Sequence, residues 1–203
     1  MLIKEIPLGP CPSTFILDGL NQQLIKQFNV VAPGKLVSIK DLADSGLVKL
    51  GRAAYPFVGG PTAKARLKRA IESRGETLEV NSAYRTVAQQ FLLWRMFHFG
   101  PPGNCGIADV ADPGKSNHES GLALDIETPF SWKPFLEPLG WIHLGRFDPP
   151  HYDFVGGTDL RGFGVKAFQS LWNQHHPNDQ IDVDGDFGPE TRKRLEKTPI
   201  DGF

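Results

Sequence analysis

At 203 residues the chain is long enough for one well-buried core, or for a core with a small appended unit. Its 40% hydrophobic and 22% charged residues are those of a globular protein, and 22 Gly with 17 Pro point to many turns and ordered loops rather than to disorder. A formal charge of -1 excludes a general attraction to nucleic acid or acidic membranes, so no nucleic-acid partner is expected.

The first 15 residues lack the continuous apolar run of about 7–15 residues that a secretory signal needs. No later segment approaches the roughly 20 apolar residues of a membrane span, so membrane insertion is not expected. Across residues 15–31, Phe15, Ile16, Leu17, Leu20, Leu24, Ile25 and Phe28 partly fit one helix face, with Asp18 or Asn21 as the cap. Pro33-Gly34 stops that helix, and residues 36–39 read as a short strand. After a mixed stretch over 40–60, Thr62 is placed to cap a helix whose inner face is Ala65, Leu67, Ala70 and Ile71, ended by Gly75.

Residues 77–82 suggest a strand, and a second helix runs from Val87 to about Phe99. A Gly- and Pro-bearing loop over 103–117 delivers His118. Residues 121–127 are extended, 132–139 read as a short helix containing Pro134, and 141–144 as a strand. Gly156-Gly157-Thr158 reads as a hinge. Two helices follow, over 165–172 and from Pro189 to Leu195. Cys11 and Cys105 allow one disulfide, but a chain of this size needs no staple and free thiols are the expectation.

A catalytic zinc site takes three protein ligands and leaves a fourth position open. The segment Ser116-Asn117-His118-Glu119-Ser120-Gly121-Leu122-Ala123-Leu124-Asp125-Ile126 offers His118 and Asp125, whose six intervening residues would join a loop to the following strand. Asp148-Pro149-Pro150-His151 offers a third ligand and a carboxylate three positions earlier, on backbone stiffened by two prolines. By spacing alone a polar histidine near a loop is more often a solvent-facing or hydrogen-bonded residue than a ligand.

The segment 116–125 fits S-x-H-x-x-G-x-A-x-D at every fixed position, and so resembles the D-alanyl-D-alanine carboxypeptidase and VanY-like zinc peptidase family. Ser82-Ala83-Tyr84-Arg85-Thr86 with Gln89 is similar to that family's upstream segment, and residues 148–151 to its acid-x-x-His segment. The resemblance spans residues 82–153. It implies zinc held by His118, Asp125 and His151, with Asp148 as general base and acid. It further implies Arg85 on a substrate carboxylate or on the oxyanion, and Ser116 near substrate or metal. Asp at 148, where many of the family's D-Ala-D-Ala enzymes carry Glu, and Tyr152 after the histidine resemble the branch that cuts L-alanyl–D-glutamate bonds.

Residues 159–198, with Gly164-Val165-Lys166-Ala167-Phe168-Gln169 and Asp184-Gly185-Asp186-Phe187-Gly188-Pro189-Glu190-Thr191, resemble a helical peptidoglycan-binding domain. The Asp182–Asp186 run lacks the spacing of a calcium loop. His143 reads as a cleft-wall residue, Glu119 as solvent-facing, and Trp94, Phe97 and Phe99 as core.

The fold expected is α+β, a small antiparallel sheet with flanking helices carrying a zinc site, plus a small helical C-terminal unit. The domains expected are residues 1–156, with a motif-bearing core at about 50–156, and residues 159–203. The function expected is zinc-dependent hydrolysis of peptidoglycan stem peptides by a monomer made in the cytoplasm and released to the wall by a non-standard route. Its rivals are a D,D-carboxypeptidase and a non-catalytic wall-binding protein.

Overall fold

The computed structural model describes residues 1–107 and 109–203. In chain order the elements are α1 (Asp18–Val31), β1 (Leu36–Ser38), α2 (Lys40–Asp44), β2 (Val48–Leu50), β3 (Phe57–Gly59), α3 (Pro61–Arg74) and β4 (Leu78–Ser82). They continue with α4 (Val87–Phe99), β5 (Ala123–Ile126), α5 (Pro129–Leu136), β6 (Trp141–His143), β7 (His151–Phe154), α6 (Arg161–His175) and α7 (Pro189–Glu196). The content is mixed α and β, as the sequence indicates.

Local chemistry sets most helix ends. Thr86 and Gln89 form a reciprocal capping box at α4, the Thr86 side chain accepting from the Gln89 N–H and the Gln89 side chain from the Thr86 N–H. Pro61 starts α3, where its missing N–H costs nothing, so Thr62 lies inside that helix rather than capping it. Gly75 ends α3 at φ 72°, a conformation that a side chain disfavours. A 3-10 turn, Thr14–Leu17, precedes α1 and is capped by Ser13. Asn21 therefore does not cap; it is buried and accepts a hydrogen bond from the Thr86 hydroxyl at 2.6 Å.

The chain packs as two compact units. The first comprises residues 1–33, 86–119 and 161–203. Its core joins Leu20 and Leu24 of α1, Phe91 of α4, Phe168 and Trp172 of α6, and Leu195 of α7. Residues 161–203 thus bury their apolar stripe with α1 and α4, not in a core confined to the tail, because two helices alone remove too little apolar surface from water. Cys11 and Cys105, expected free, are joined by a disulfide with Cα atoms 5.4 Å apart. Both lie in this unit, where the fold brings positions 94 residues apart in sequence into bonding range.

The second unit comprises residues 34–85 and 120–160. Its five-stranded sheet has the order β2-β4-β5-β7-β6, with β2–β4 parallel and the other pairs antiparallel; β1 and β3 form a separate two-stranded ribbon. Val80, Leu124, Ile126, Trp141, Tyr152 and Phe154 share a core with Leu67 and Ile71 of α3 and Trp132 and Leu136 of α5. Each large side chain so buried is worth about 1.5–3 kcal/mol. Strand alternation puts the residues between them, Asp125, His151 and Asp153, on the opposite face. Strand β7 is not apparent in the sequence, because His-Tyr-Asp-Phe offers only two apolar residues behind two prolines.

Candidate metal centre

The ladder between β5 and β7 pairs Asp125 directly with His151. That register leaves His151 Nδ1 3.1 Å from Asp125 Oδ1 and 3.7 Å from Asp148 Oδ2. His118 stands on a 3-10 turn, Asn117–Ser120, that ends three residues before β5 begins. One ligand atom each from His118, Asp125 and His151 lie within 4.8 Å of one another. Around a tetrahedral ion with bonds near 2.0–2.1 Å, donors stand about 3.4 Å apart, so small side-chain rotations close this set on a metal.

The turn that carries His118 is built by two features of the motif. Glu119, expected to face solvent, is 1% exposed and its carboxylate accepts N–H bonds from Gly114 at 2.9 Å and Ser116 at 3.1 Å. Such a charge-assisted clamp satisfies donors that the loop would otherwise leave unpaired. Gly121 adopts φ 65°, and a Cβ there would stand 2.6 Å from the Gly59 nitrogen. The two backbones meet through a 2.8 Å bond from the Gly59 N–H to the Gly121 carbonyl, which only glycine permits. Ser120 Oγ then donates to Asp159 at 2.9 Å and accepts from the Leu160 N–H at 3.2 Å.

Arg85 follows β4, and its guanidinium reaches Ser82 Oγ at 3.2 Å and Asp125 Oδ2 at 3.4 Å. It therefore stands beside the carboxylate of the cluster. Asp148, with its side chain 51% exposed, offers the solvent-accessible carboxylate nearest His151 Nδ1. Ser116 is buried and enters the structure through its backbone bonds with Glu119.

One participant escaped the sequence reading. Asp153, two residues after His151 and on the same strand face, stands 2.9 Å from His151 Nε2. It fixes the ring so that Nδ1 faces Asp125 and Asp148. A carboxylate on the far nitrogen of an imidazole ligand is the usual second partner of a metal-binding histidine. The signal that would have found it is an acid at i+2 from a histidine in a strand, and it required β7 to be recognised as one.

Burial acts to lower the His151 pKa, but its hydrogen bonds to Asp125 and Asp153, with their charges, override burial and push it up to about 9. The pair of carboxylates thus holds a cation on this ring, a proton when no metal is present. Two imidazoles and a carboxylate, one imidazole already oriented, make a donor set of the kind zinc takes.

Elsewhere, His143 is not part of the cluster. Its Nε2 lies 2.7 Å from the Pro149 carbonyl. Asp184 accepts from Gln169 Nε2 and the Asp186 N–H, each at 2.8 Å, so this acid of the 182–186 run closes a turn.

A His-Asp-His cluster with an adjacent carboxylate, two of its members on the sheet and His118 on the turn before it, is a donor set of the kind metallohydrolases use. Residues 61–137 match the family model of D-alanyl-D-alanine carboxypeptidase, VanY. That stretch includes Arg85, Ser116, His118 and Asp125 and ends before Asp148 and His151. At the level of that family the match supports a peptidase. Comparison with curated proteins and with solved structures found no match. Among the described residues, no helix is long and apolar enough to cross a membrane.

Proposed function

We propose that this chain is a zinc-dependent peptidase that cuts the L-alanyl–D-glutamate bond of peptidoglycan stem peptides. The observation that carries this reading is the approach of His118, Asp125 and His151 to within 4.8 Å, with the Asp148 carboxylate 3.7 Å from His151 Nδ1. In this reading His118, Asp125 and His151 hold the ion. Bound zinc would supply Lewis acidity, lowering the pKa of water and polarising a scissile carbonyl.

Asp148 would take a proton from the attacking water and return it to the departing amine, so one carboxylate serves both halves of the hydrolysis. Its exposure suits that exchange, because the group must meet water and substrate. Arg85 would use its planar fork on a substrate carboxylate or on the developing oxyanion. Asp153 would keep the His151 ring aimed. Ser116 would hydrogen-bond near substrate or metal.

The shorter acid at position 148 favours the endopeptidase over its relative, a carboxypeptidase that removes the terminal D-alanine. The description of the matched family and the cation at Arg85 favour that second reading. Residues 159–203 would hold peptidoglycan and raise the local substrate concentration. Support for this comes from a cleft of about 520 Å³ lined by residues including Gln169, Asp184, Thr191 and Arg194.

Mass spectrometry of defined stem peptides tests the reading, using zinc-loaded protein, metal-stripped protein and Asp148→Asn. Cleavage after L-alanine, lost in both controls, is the expected result. Loss of the terminal D-alanine alone transfers the assignment to the carboxypeptidase. Intact peptides with zinc bound would leave only a binding role.

A further inference from the structure

Strand β6 places an imidazole in an apolar slot. His143 is 7% exposed, with its ring edge-on to Phe130 at 4.8 Å and tilted against Tyr152 at 4.8 Å. A phenylalanine would fill that space. The imidazole instead buries two polar nitrogens, and among the described residues Nδ1 has no hydrogen-bond partner. An orphaned buried nitrogen is costly, so the other nitrogen must return something for the ring to belong here.

Nε2 stands 2.7 Å from the carbonyl oxygen of Pro149. A carbonyl only accepts, so Nε2 carries the proton and donates. Pro149 lies in the Asp148–His151 turn, and neither Pro149 nor Pro150 has an N–H with which to brace the backbone. The turn is held through its carbonyls. The Asp148 carbonyl accepts from the His151 N–H at 3.1 Å, and the Pro150 carbonyl accepts from the Ile126 N–H at 3.0 Å. The carbonyl between them, that of Pro149, is held by the side chain of His143.

We propose that His143 is a positioning residue that clamps the Pro149 carbonyl and so sets the spacing of Asp148 and His151, the acid–base group and the metal ligand. The proposal rests on the peptidase reading for the role of Asp148, but its effect on His151 needs only that the cluster bind metal. With the clamp removed, the turn pivots on its two outer bonds, and the 3.7 Å approach of Asp148 to His151 loosens. His143→Phe removes the donor and keeps the ring packing. His143→Gln keeps a donor at similar reach.

The first measurement is zinc affinity by chelator competition on wild-type protein and both variants, alongside the thermal midpoint of the metal-free forms. His143→Phe should bind zinc about 10-fold or more weakly, the loss typical of removing an outer partner of a metal site. Its midpoint should hold or rise, since the orphaned Nδ1 is gone, and His143→Gln should recover most of the affinity. Unchanged zinc affinity in the Phe variant, or a loss that Gln does not recover in a folded protein, overturns the clamp. Nitrogen-15 NMR of wild-type protein tests it without a variant: Nε2 protonated and Nδ1 bare is expected, and the opposite tautomer overturns it. On stem peptides, His143→Phe should lower kcat more than it changes KM. Should wild-type protein cut no stem peptide, the peptidase reading fails, while the affinity and tautomer results still decide the role of His143.

Discussion

Asp148 and His151 sit three residues apart in different environments, and the roles proposed for them differ accordingly. Asp148 is half exposed, whereas His151 is gripped between Asp125 and Asp153. Replacing Asp148 with Asn should therefore lower kcat by about 10²–10⁴-fold, the usual worth of a positioned acid–base group, and leave zinc affinity within a few-fold of wild type. Loss of metal in that variant would place Asp148 among the ligands instead. For His151 the sign of the pH effect follows from its pKa, raised by Asp125 and Asp153 against the effect of burial to about 9. A raised pKa gives the metal-free protein a stabilising contribution that is complete below about pH 6.5 and is lost as pH rises through about 9. The thermal midpoint of the stripped protein should fall across that window. Zinc held by His151 as proposed would displace the same proton, so its affinity should climb with pH up to about 9 and ion binding near pH 7.5 should release a proton, readable by calorimetry in two buffers.

At the scale of the element, the site is a product of strand register. Pairing Asp125 with His151 sets two candidate ligands side by side, and a slip of one residue in β7 would send His151 into the core and Tyr152 to the face of the cluster. The turn before β5 is equally constrained. Gly121→Ala adds a Cβ 2.6 Å from the Gly59 nitrogen at φ 65° and should cost about 2–4 kcal/mol in denaturant unfolding, with zinc binding weakened in parallel. Glu119→Ala leaves the Gly114 and Ser116 N–H groups without their acceptor. It should loosen the turn that carries His118, raising hydrogen exchange at Gly114 and Ser116 before the sheet responds. The motif's glycine and its neighbouring acid are therefore structural members of a chemical signature. Sequence inspection recognised the glycine by resemblance, but the acid looked solvent-facing because its partners are loop amides that no periodicity reveals.

At the scale of the whole chain, each packed unit is assembled from separated stretches of sequence. The Cys11–Cys105 disulfide closes a span of 94 residues, for which chain-entropy reasoning gives about 4–5 kcal/mol of stabilisation. Cys11→Ser with Cys105→Ser should lower the stability by up to that amount and leave the second unit's β-sheet spectrum intact, a comparison that circular dichroism and denaturant unfolding make directly. Free thiols were the expectation because the length of the chain removes the need for a staple. Whether two cysteines meet is decided by the path of the backbone, which neither their number nor the length discloses.

The amino-acid order by itself determined the helices α3, α4, α6 and α7, because apolar spacing, Pro61, Gly75 and the Thr86–Gln89 box are local signals. It also supplied His118, Asp125, Asp148 and His151 as candidates, through their fit to the spaced motifs of a known family rather than through spacing alone. Only the tertiary structure decided that residues 161–203 share a core with α1 and α4, that β7 exists, that Asp153 orients His151, and that His143 faces the Pro149 carbonyl. The first two depend on contacts between distant segments, and the last two follow once β6 and β7 exist as strands. Such contacts arise from how much apolar surface the whole chain can bury and how its strands fall into register, and neither quantity is written in any local stretch of sequence.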